Sequence, residues 1–288
     1  MEWVNTVVQG VLLGGLYAMF ATGLSLMFGI MRLVNIAHGD FIILGAYLGL
    51  VVVTTLGLSP LLSLIIVLPV MFMIGYVLQR VLLNRTLGTD ILPPLLVTFG
   101  LSIILQNILL EVFSADTQKL PAGELGLSSI TVTGDLSIGV LPLITFLVSV
   151  AVIGGLQFLF YRTELGRAFR ATSDDQETVR LMGVGNSHIF GLAMAIAMAV
   201  VAVAGIFLAL KTNFDPTIGP ARLLYGFEAV IIGGLGSLWG TLVGGIILGV
   251  AQAIGAQIDP GWQILAGHLV FLIILIFRPR GLFPRSVD

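Results

Sequence analysis

The chain has 288 residues, of which 57% are hydrophobic and 10% charged, with a formal net charge of -2; a soluble globular domain usually carries about 25% charged residues. A mean hydropathy of +1.09 excludes an ordinary soluble protein and identifies an integral membrane one, and no basic run of the nucleic-acid-binding kind occurs. Cysteine is absent, which excludes disulfides, thiolate metal sites and a cysteine nucleophile.

In chain order, the first residues, MEWVNTVVQG, lack the positive start of a secretory signal and lead into an apolar run with no convincing small-residue cleavage site, so a retained first span is expected. No charge falls between Glu2 and Arg32. The runs 41–79, 91–110, 138–161, 189–210, 229–258 and 260–277 are also free of Asp, Glu, Lys and Arg. A helix crosses the hydrocarbon in about 20 residues, so several runs hold one span each and the longest must be broken.

Nine of the thirteen basic residues lie in three short places: Arg80 and Arg85; Arg162, Arg167, Arg170 and Arg180; Arg278, Arg280 and Arg285. The positive-inside rule places these segments in the cytoplasm. The stretch 113–140 sets Asp116, Glu124 and Asp135 against a lone Lys119 and carries turn signals at Pro121, Gly123 and Gly134. It is expected outside, with 113–137 as a periplasmic loop containing a small hairpin, while 162–187 forms the cytoplasmic loop of a single membrane domain.

Parity then constrains the last third of the chain. Spans at 188–210 and 261–278 already make two crossings, so 224–257 must go in and come back or cross twice with short legs. Gly233, Gly234 and Gly236, followed by Ser237, supply the break in "IIGGLGSLWGTLVGG"; backbone opened at membrane depth is tolerated only in a protein interior or along a polar cavity, which marks a translocation path. A second break is expected near 28–38. "NIAHGDFIILGAYLG" and "GLGSLWGTLVGGIILG" resemble each other, a hint of internal duplication. Gly45 and Gly49, and Gly236, Gly240 and Gly244, are spaced by four, which flattens one helix face for close packing.

"LVNIAHGDF" places Asn35, His38 and Asp40 between two apolar stretches. Ionisable residues at membrane depth are costly and mark function. An interfacial loop in which Asn35 or Asp40 caps the next helix accounts for the pattern equally well, and both readings stay open here. Glu228 meets the same test just before an apolar run, whereas His268 alone in "WQILAGHLVF" reads as a hydrogen-bonded packing histidine.

The most polar stretch, 161–187, carries helix punctuation. Ser173 with Gln176 makes a capping box, Asp174, Asp175 and Glu177 suit a helix start, and Arg180 with Gly183 closes the end. A helix of about 174–182 is too short to persist unless it docks. Val179 with Met182, and Thr178 with Leu181, offer narrow apolar edges, and Leu165, Ala168 and Phe169 lie opposite Arg167 and Arg170. No G-x-x-x-x-G-K-[ST] occurs, so ATP is not bound here through a P-loop.

"GLSLMFGIMRLVNIAHGDFIILGAY", "ELGRAFRATSDDQETVRLMGV" and "AVIIGGLGSLWGTLVGGIILG" together resemble the signature stretches of bacterial branched-chain amino acid ABC transporter permeases of the LivH type. The resemblance implies an all-helical polytopic permease of about eight membrane segments, with broken or re-entrant glycine-rich helices, in the inner membrane. It implies as partners a second permease of the LivM type, two cytoplasmic P-loop ATPases and a periplasmic solute-binding protein, with no cofactor, no metal and no covalent chemistry. Leucine, isoleucine and valine are the implied cargo; close relatives serve urea and short amides. Under this resemblance Asn35, His38, Asp40, Glu228, Gly233, Gly234, Gly236 and Ser237 belong to the substrate path, and Gly166, Arg167, Arg170, Asp175, Arg180 and Gly183 to the ATPase-coupling surface. Where the family continues with an Asp-Arg pair, this chain has Ser187 and His188.

Two rivals remain in view. A membrane-embedded lipid or prenyl transferase would use Asp174 and Asp175 with a metal, and such sites need a second carboxylate cluster on the same membrane face, which the sequence does not offer. An ion-coupled secondary transporter would work without ATPases.

Overall fold

The computed structural model describes residues 2–283 apart from 89, 134, 135 and 184, and leaves the side chains of 132, 133 and 136 undescribed. Arg285 and Asp135, two of the charges used above, lie outside the described residues. The elements are α1 (Glu2–Met31), α2 (His38–Leu56), α3 (Pro60–Val81), α4 (Leu92–Phe113), α5 (Glu124–Leu127), β1 (Ser129–Thr133), β2 (Leu136–Gly139), α6 (Val140–Arg162), α7 (Glu164–Asp174), α8 (Gln176–Leu181), α9 (Asn186–Lys211), α10 (Gly219–Gly233), α11 (Leu238–Ile258) and α12 (Gln263–Phe277). Eight helical segments among the described residues are long and apolar enough to cross a membrane. The protein is an all-α polytopic membrane protein, as composition and the charge-free runs required.

The bundle has two ends. One carries the antiparallel β1–β2 hairpin, in which Ser129 pairs with Gly139 and Ile130 with Ile138; Gln9 near the start of α1 donates to the Ser137 carbonyl there at 2.9 Å. The other end holds the arginine-rich segments, where Ser173 donates to the Gly29 carbonyl at 2.6 Å and the chain after α12 bonds back to α10 through Leu282 N–H to Ile232 O, 2.9 Å. Long helices run between these ends.

α1 and α9 form the centre, each about four-fifths buried along its span, whereas about a fifth or less of α3, α4, α6 and α12 is buried. The sequence explains the division. α1 and α9 are rich in Gly and Ala, so backbones approach closely and dispersion replaces the missing hydrophobic drive. On α1, Gly10 and Gly14 lie against Gly249 and Gly245 of α11: a β-carbon on Gly249 would sit 2.6 Å from the Gly14 nitrogen, and one on Gly245 2.8 Å from that of Ala18. Gly45 of α2 packs on Ala202 of α9, and the outer helices present Ile65, Leu96, Ile104 and Ile276 outward, as lipid requires.

Three places interrupt the helices. Arg32, at φ 52°, turns the chain out of α1, and residues 32–37 climb back into the bundle before α2 starts. His38, the first residue of α2, meets the Phe20 carbonyl at 2.8 Å; Phe20 lies eleven positions before the end of α1, or about 17 Å along its axis at about 1.5 Å per residue. The second interruption, after α9, leads to α10, which has only 15 residues and begins against α2 rather than level with its neighbours. The third is the break at 234–237. The sequence requirement that 224–257 reverse is met by α10 and α11 as antiparallel legs, the first of them short. Their turn is made by Gly234 and Gly236, at φ 104° and 81°, conformations that side chains with a Cβ rarely adopt. It lies beside Gly29, at the arginine-rich end rather than midway through the bundle.

Candidate functional site

The polar stretch 35–40 is deep in the bundle, and Asn35, His38 and Asp40 are each fully buried. The asparagine side chain accepts the Ala37 N–H at 3.0 Å, a local turn that starts α2, while Thr98 of α4 accepts the Ile36 N–H at 3.2 Å. His38 donates from Nε2 to the Phe20 carbonyl, and its Nδ1 and the Asn35 Nδ2 have no partner among the described residues. Asp40 accepts from Ser102 Oγ at 2.5 Å and from Gln106 Nε2 at 3.0 Å. Between the two readings left open above, the structure takes depth over an interfacial loop.

Asp40 also touches the start of α10. A β-carbon on Gly39 would come 2.8 Å from the Gly219 carbonyl carbon, and one on Gly219 would come 2.9 Å from Asp40 Cγ. Two helix N-termini therefore meet inside the bundle at one carboxyl group, the sign of charge that such ends favour. Thr98, Ser102 and Gln106 were missed by sequence reasoning, although their spacing of four draws a polar stripe down an otherwise apolar helix.

Glu228 is buried on α10 and bonds His268 Nδ1 of α12 through Oε1, leaving Oε2 without a partner among the described residues. His268 stacks on Tyr225, with ring centroids 6.5 Å apart. The histidine is thus hydrogen-bonded, as read, but to an acid assigned to another role. Asn35, His38 and Asp40 form one group; Glu228 belongs to a second, with His268 and Tyr225.

The glycine-rich break forms a third group, which reaches the polar loop. A cavity of about 370 Å³ lies at the arginine-rich end, lined by Ser25, Gly29, Gln157, Arg170, Gly236 and Ser237 among others. Ser237 caps α11 by accepting the Gly240 N–H at 3.1 Å. Gly233 instead packs against Gly240, and Gly234 against Gly281. The Gly233–Ser237 break and the coupling segment are thus neighbours.

The polar segment 162–187 holds two helices rather than one. Ser173 remains inside α7 with its hydroxyl on Gly29, and Asp175 caps α8, accepting from Glu177 N–H at 3.0 Å, Thr178 N–H at 3.1 Å and Thr178 Oγ1 at 2.5 Å. The expected capping box at Ser173 is therefore replaced by a one-way side-chain cap at Asp175, because a tertiary contact claims the serine. The Thr178 hydroxyl and these N–H groups hold the Asp175 carboxyl below its ordinary range.

Gly166 lies where a β-carbon would enter the Phe160 carbonyl group at the end of α6. Phe169 stacks on Phe160 at 5.4 Å and Arg170 lies over Tyr161 at 5.2 Å while donating to the Phe160 carbonyl. Arg167 pairs with Glu164 at 3.3 Å in the open. Arg180 and Gly183, the latter at φ 84°, line a second cavity of about 790 Å³. Leu181 and Met182 are 89% and 78% exposed, so α8 presents bare apolar side chains at its tip. Ser187 and His188 tie this segment to α3 and the turn that follows it: Asn84 in Leu83–Arg85 donates to Ser187 Oγ at 2.6 Å, and Tyr76 OH of α3 meets His188 Nδ1 at 2.8 Å. Among the described residues no group of three His, Cys, Asp or Glu could hold a metal.

Residues 6–278 match the family model described as the permease component of branched-chain amino acid transport systems. The chain belongs to that family. It is 30% identical to the high-affinity branched-chain amino acid transport system permease protein BraD of Pseudomonas aeruginosa, over 99% of this chain and 96% of BraD. It is 26% identical to LivH of Salmonella typhimurium over the same shares. A shorter stretch, 43% of this chain and 30% of the relative, is 28% identical to LivM of Escherichia coli. These relatives are transport permease subunits and not enzymes, and this family member is accordingly a multi-pass protein of the bacterial inner membrane with a transport role.

Proposed function

We propose that this permease carries leucine, isoleucine and valine into the cell as one of two permease subunits of an ABC importer, with ATP hydrolysed by separate P-loop subunits and solute delivered by a periplasmic binding protein. The observation that carries the reading is the whole-length match to branched-chain amino acid permeases together with the absence of any P-loop in the chain. Likeness to LivM as well as LivH supports a second, different permease of related sequence as its partner.

In this reading the 162–187 end faces the cytoplasm and the hairpin end faces the periplasm. ATPase closure presses on Leu181 and Met182 of α8. The push passes through α7 to the Gly233–Ser237 turn, since Ser173 holds Gly29 and Arg170 shares a cavity with Gly236 and Ser237. Gly166, Arg167, Asp175, Arg180 and Gly183 shape that lever. Asn35, His38, Asp40 and Glu228 serve the path by holding the helices that start or end inside the bundle, so that α2 and α10 tilt as units. The transferase rival finds no support in Asp175, whose carboxylate is occupied in capping α8.

Uptake of labelled leucine, isoleucine, valine and urea in a strain lacking this gene, with and without the restored copy, tests the cargo. Restored uptake of the three branched amino acids and not of urea is expected; restoration of urea uptake alone would overturn the assignment.

A further inference from the structure

At the hairpin end, α10 starts deeper than the helices around it, and above its first turn lies a cavity of about 450 Å³. Its polar lining includes Tyr17 of α1, Lys211 at the end of α9, Arg222 and Tyr225 of α10, Gln252 of α11 and Gln263 at the start of α12. These are two cations and neutral polar groups, and no Asp or Glu among the described residues lines the cavity. Among the described residues, neither Lys211 nor Arg222 makes an ion pair. Arg222 Nε is buried without a hydrogen-bond partner, and its guanidinium carbon lies 6.0 Å from the Tyr225 ring centre.

The amide of Gln252 is buried and half used. Tyr17 OH donates to its Oε1 at 2.6 Å, which leaves Nε2 without a partner. The carboxylate further along α10, Glu228, is already bonded to His268. An uncompensated positive charge within a membrane protein is costly, and two beside one cavity are costlier. The volume falls within the range of sites that enclose small ligands.

We propose that this cavity is an oxyanion site: Arg222 and Lys211 hold a single carboxylate or phosphate group, and the free Gln252 amide supplies a further donor. The group belongs either to the carboxylate of an imported solute at the outer mouth of the path or to the phosphate of an anionic lipid. The solute source rests on the amino-acid reading above; the lipid source does not. The cavity lies away from the glycine-rich turn, which lines the cavity at the arginine-rich end.

The importer, with its partner permease and ATPases, is reconstituted in phosphatidylcholine nanodiscs and probed by equilibrium binding with leucine, 4-methylpentanoate, which keeps the carboxylate without the amine, and leucinol, which keeps the amine without the carboxylate. Native mass spectrometry of the same importer, extracted from cells, counts retained phosphatidylglycerol. The variants are Arg222→Gln, Lys211→Gln, their combination, and Arg222→Lys as the conservative change. Binding of leucine and 4-methylpentanoate but not leucinol, about tenfold weaker in the double variant and largely kept by Arg222→Lys, assigns a solute carboxylate. Phosphatidylglycerol retained by the wild type and lost from the double variant, with no solute preference, assigns a lipid. Wild-type importer that neither prefers carboxylates nor retains anionic lipid overturns the proposal, whether or not the variants fold. Because 4-methylpentanoate and the lipid count do not depend on the natural cargo, failure of the leucine uptake experiment leaves this test intact.

Discussion

The carboxyl group of Asp40 on α2 lies against the backbone of Gly219, the first residue of α10, so two helices that begin inside the bundle share one acid. No side chain fits at Gly219 without moving Asp40. Gly219→Ala is expected to lower stability by about 1–3 kcal/mol, the range for inserting a methyl group into a packed interior. Thermal unfolding of the nanodisc-embedded importer reads this directly, and a variant as stable as the wild type would show that α10 does not start where the structure puts it.

Asp40 is held from the α4 side by Ser102 and Gln106. A double-mutant cycle of Asp40→Asn with Ser102→Ala should give a coupling of about 0.6 kcal/mol, the average for hydrogen bonds between membrane helices, and no more than about 1.7 kcal/mol. Additive effects in that cycle would mean that the two side chains do not interact.

Much of this arrangement was legible before any coordinates. The charge-free runs marked the spans, the arginine clusters marked one end, and parity forced 224–257 to reverse. The partners of Asp40 and Glu228 were not legible, since each lies on another helix, 62 and 40 positions away at the nearest. Thr98, Ser102 and Gln106 carry a usable signal in their spacing. Ser173 shows the opposite failure: its local pattern is a good cap, but Gly29 on α1 captures the hydroxyl and the role passes to Asp175. Lys211 and Arg222 fell outside the three basic clusters, and only the depth at which α10 starts brings them to one cavity.

Glu228 and His268 tie α10 to the outermost helix, α12. His268→Leu leaves a buried carboxyl group with neither oxygen paired and should cost about 3–5 kcal/mol. Adding Glu228→Gln should recover part of that loss. Equal unfolding temperatures for the single and double variants would contradict the pairing.

Asp175 sets the order of α8. Its carboxyl group is held below the ordinary range in the folded chain by Thr178 and the neighbouring N–H groups. The stabilisation is therefore complete above the unfolded-state value of about 3.9 and is lost as pH falls through the lower folded value. Amide exchange in 176–181 should slow as pH rises through that window once intrinsic rates are removed, and Asp175→Ala should abolish the dependence. A wild-type profile with no such step would rule out the cap.

The central claim is that the gate is driven from the 162–187 end by other chains. The protein has no cysteine, so Leu181→Cys places one thiol on the exposed tip of α8. The decisive measurement is its reaction with a membrane-impermeant maleimide in sealed vesicles of both orientations, with and without bound ATPase subunits. The account predicts labelling in inside-out vesicles alone, and strong protection once the ATPases are bound. Labelling from the periplasmic side, or full reactivity with the ATPases in place, would contradict it.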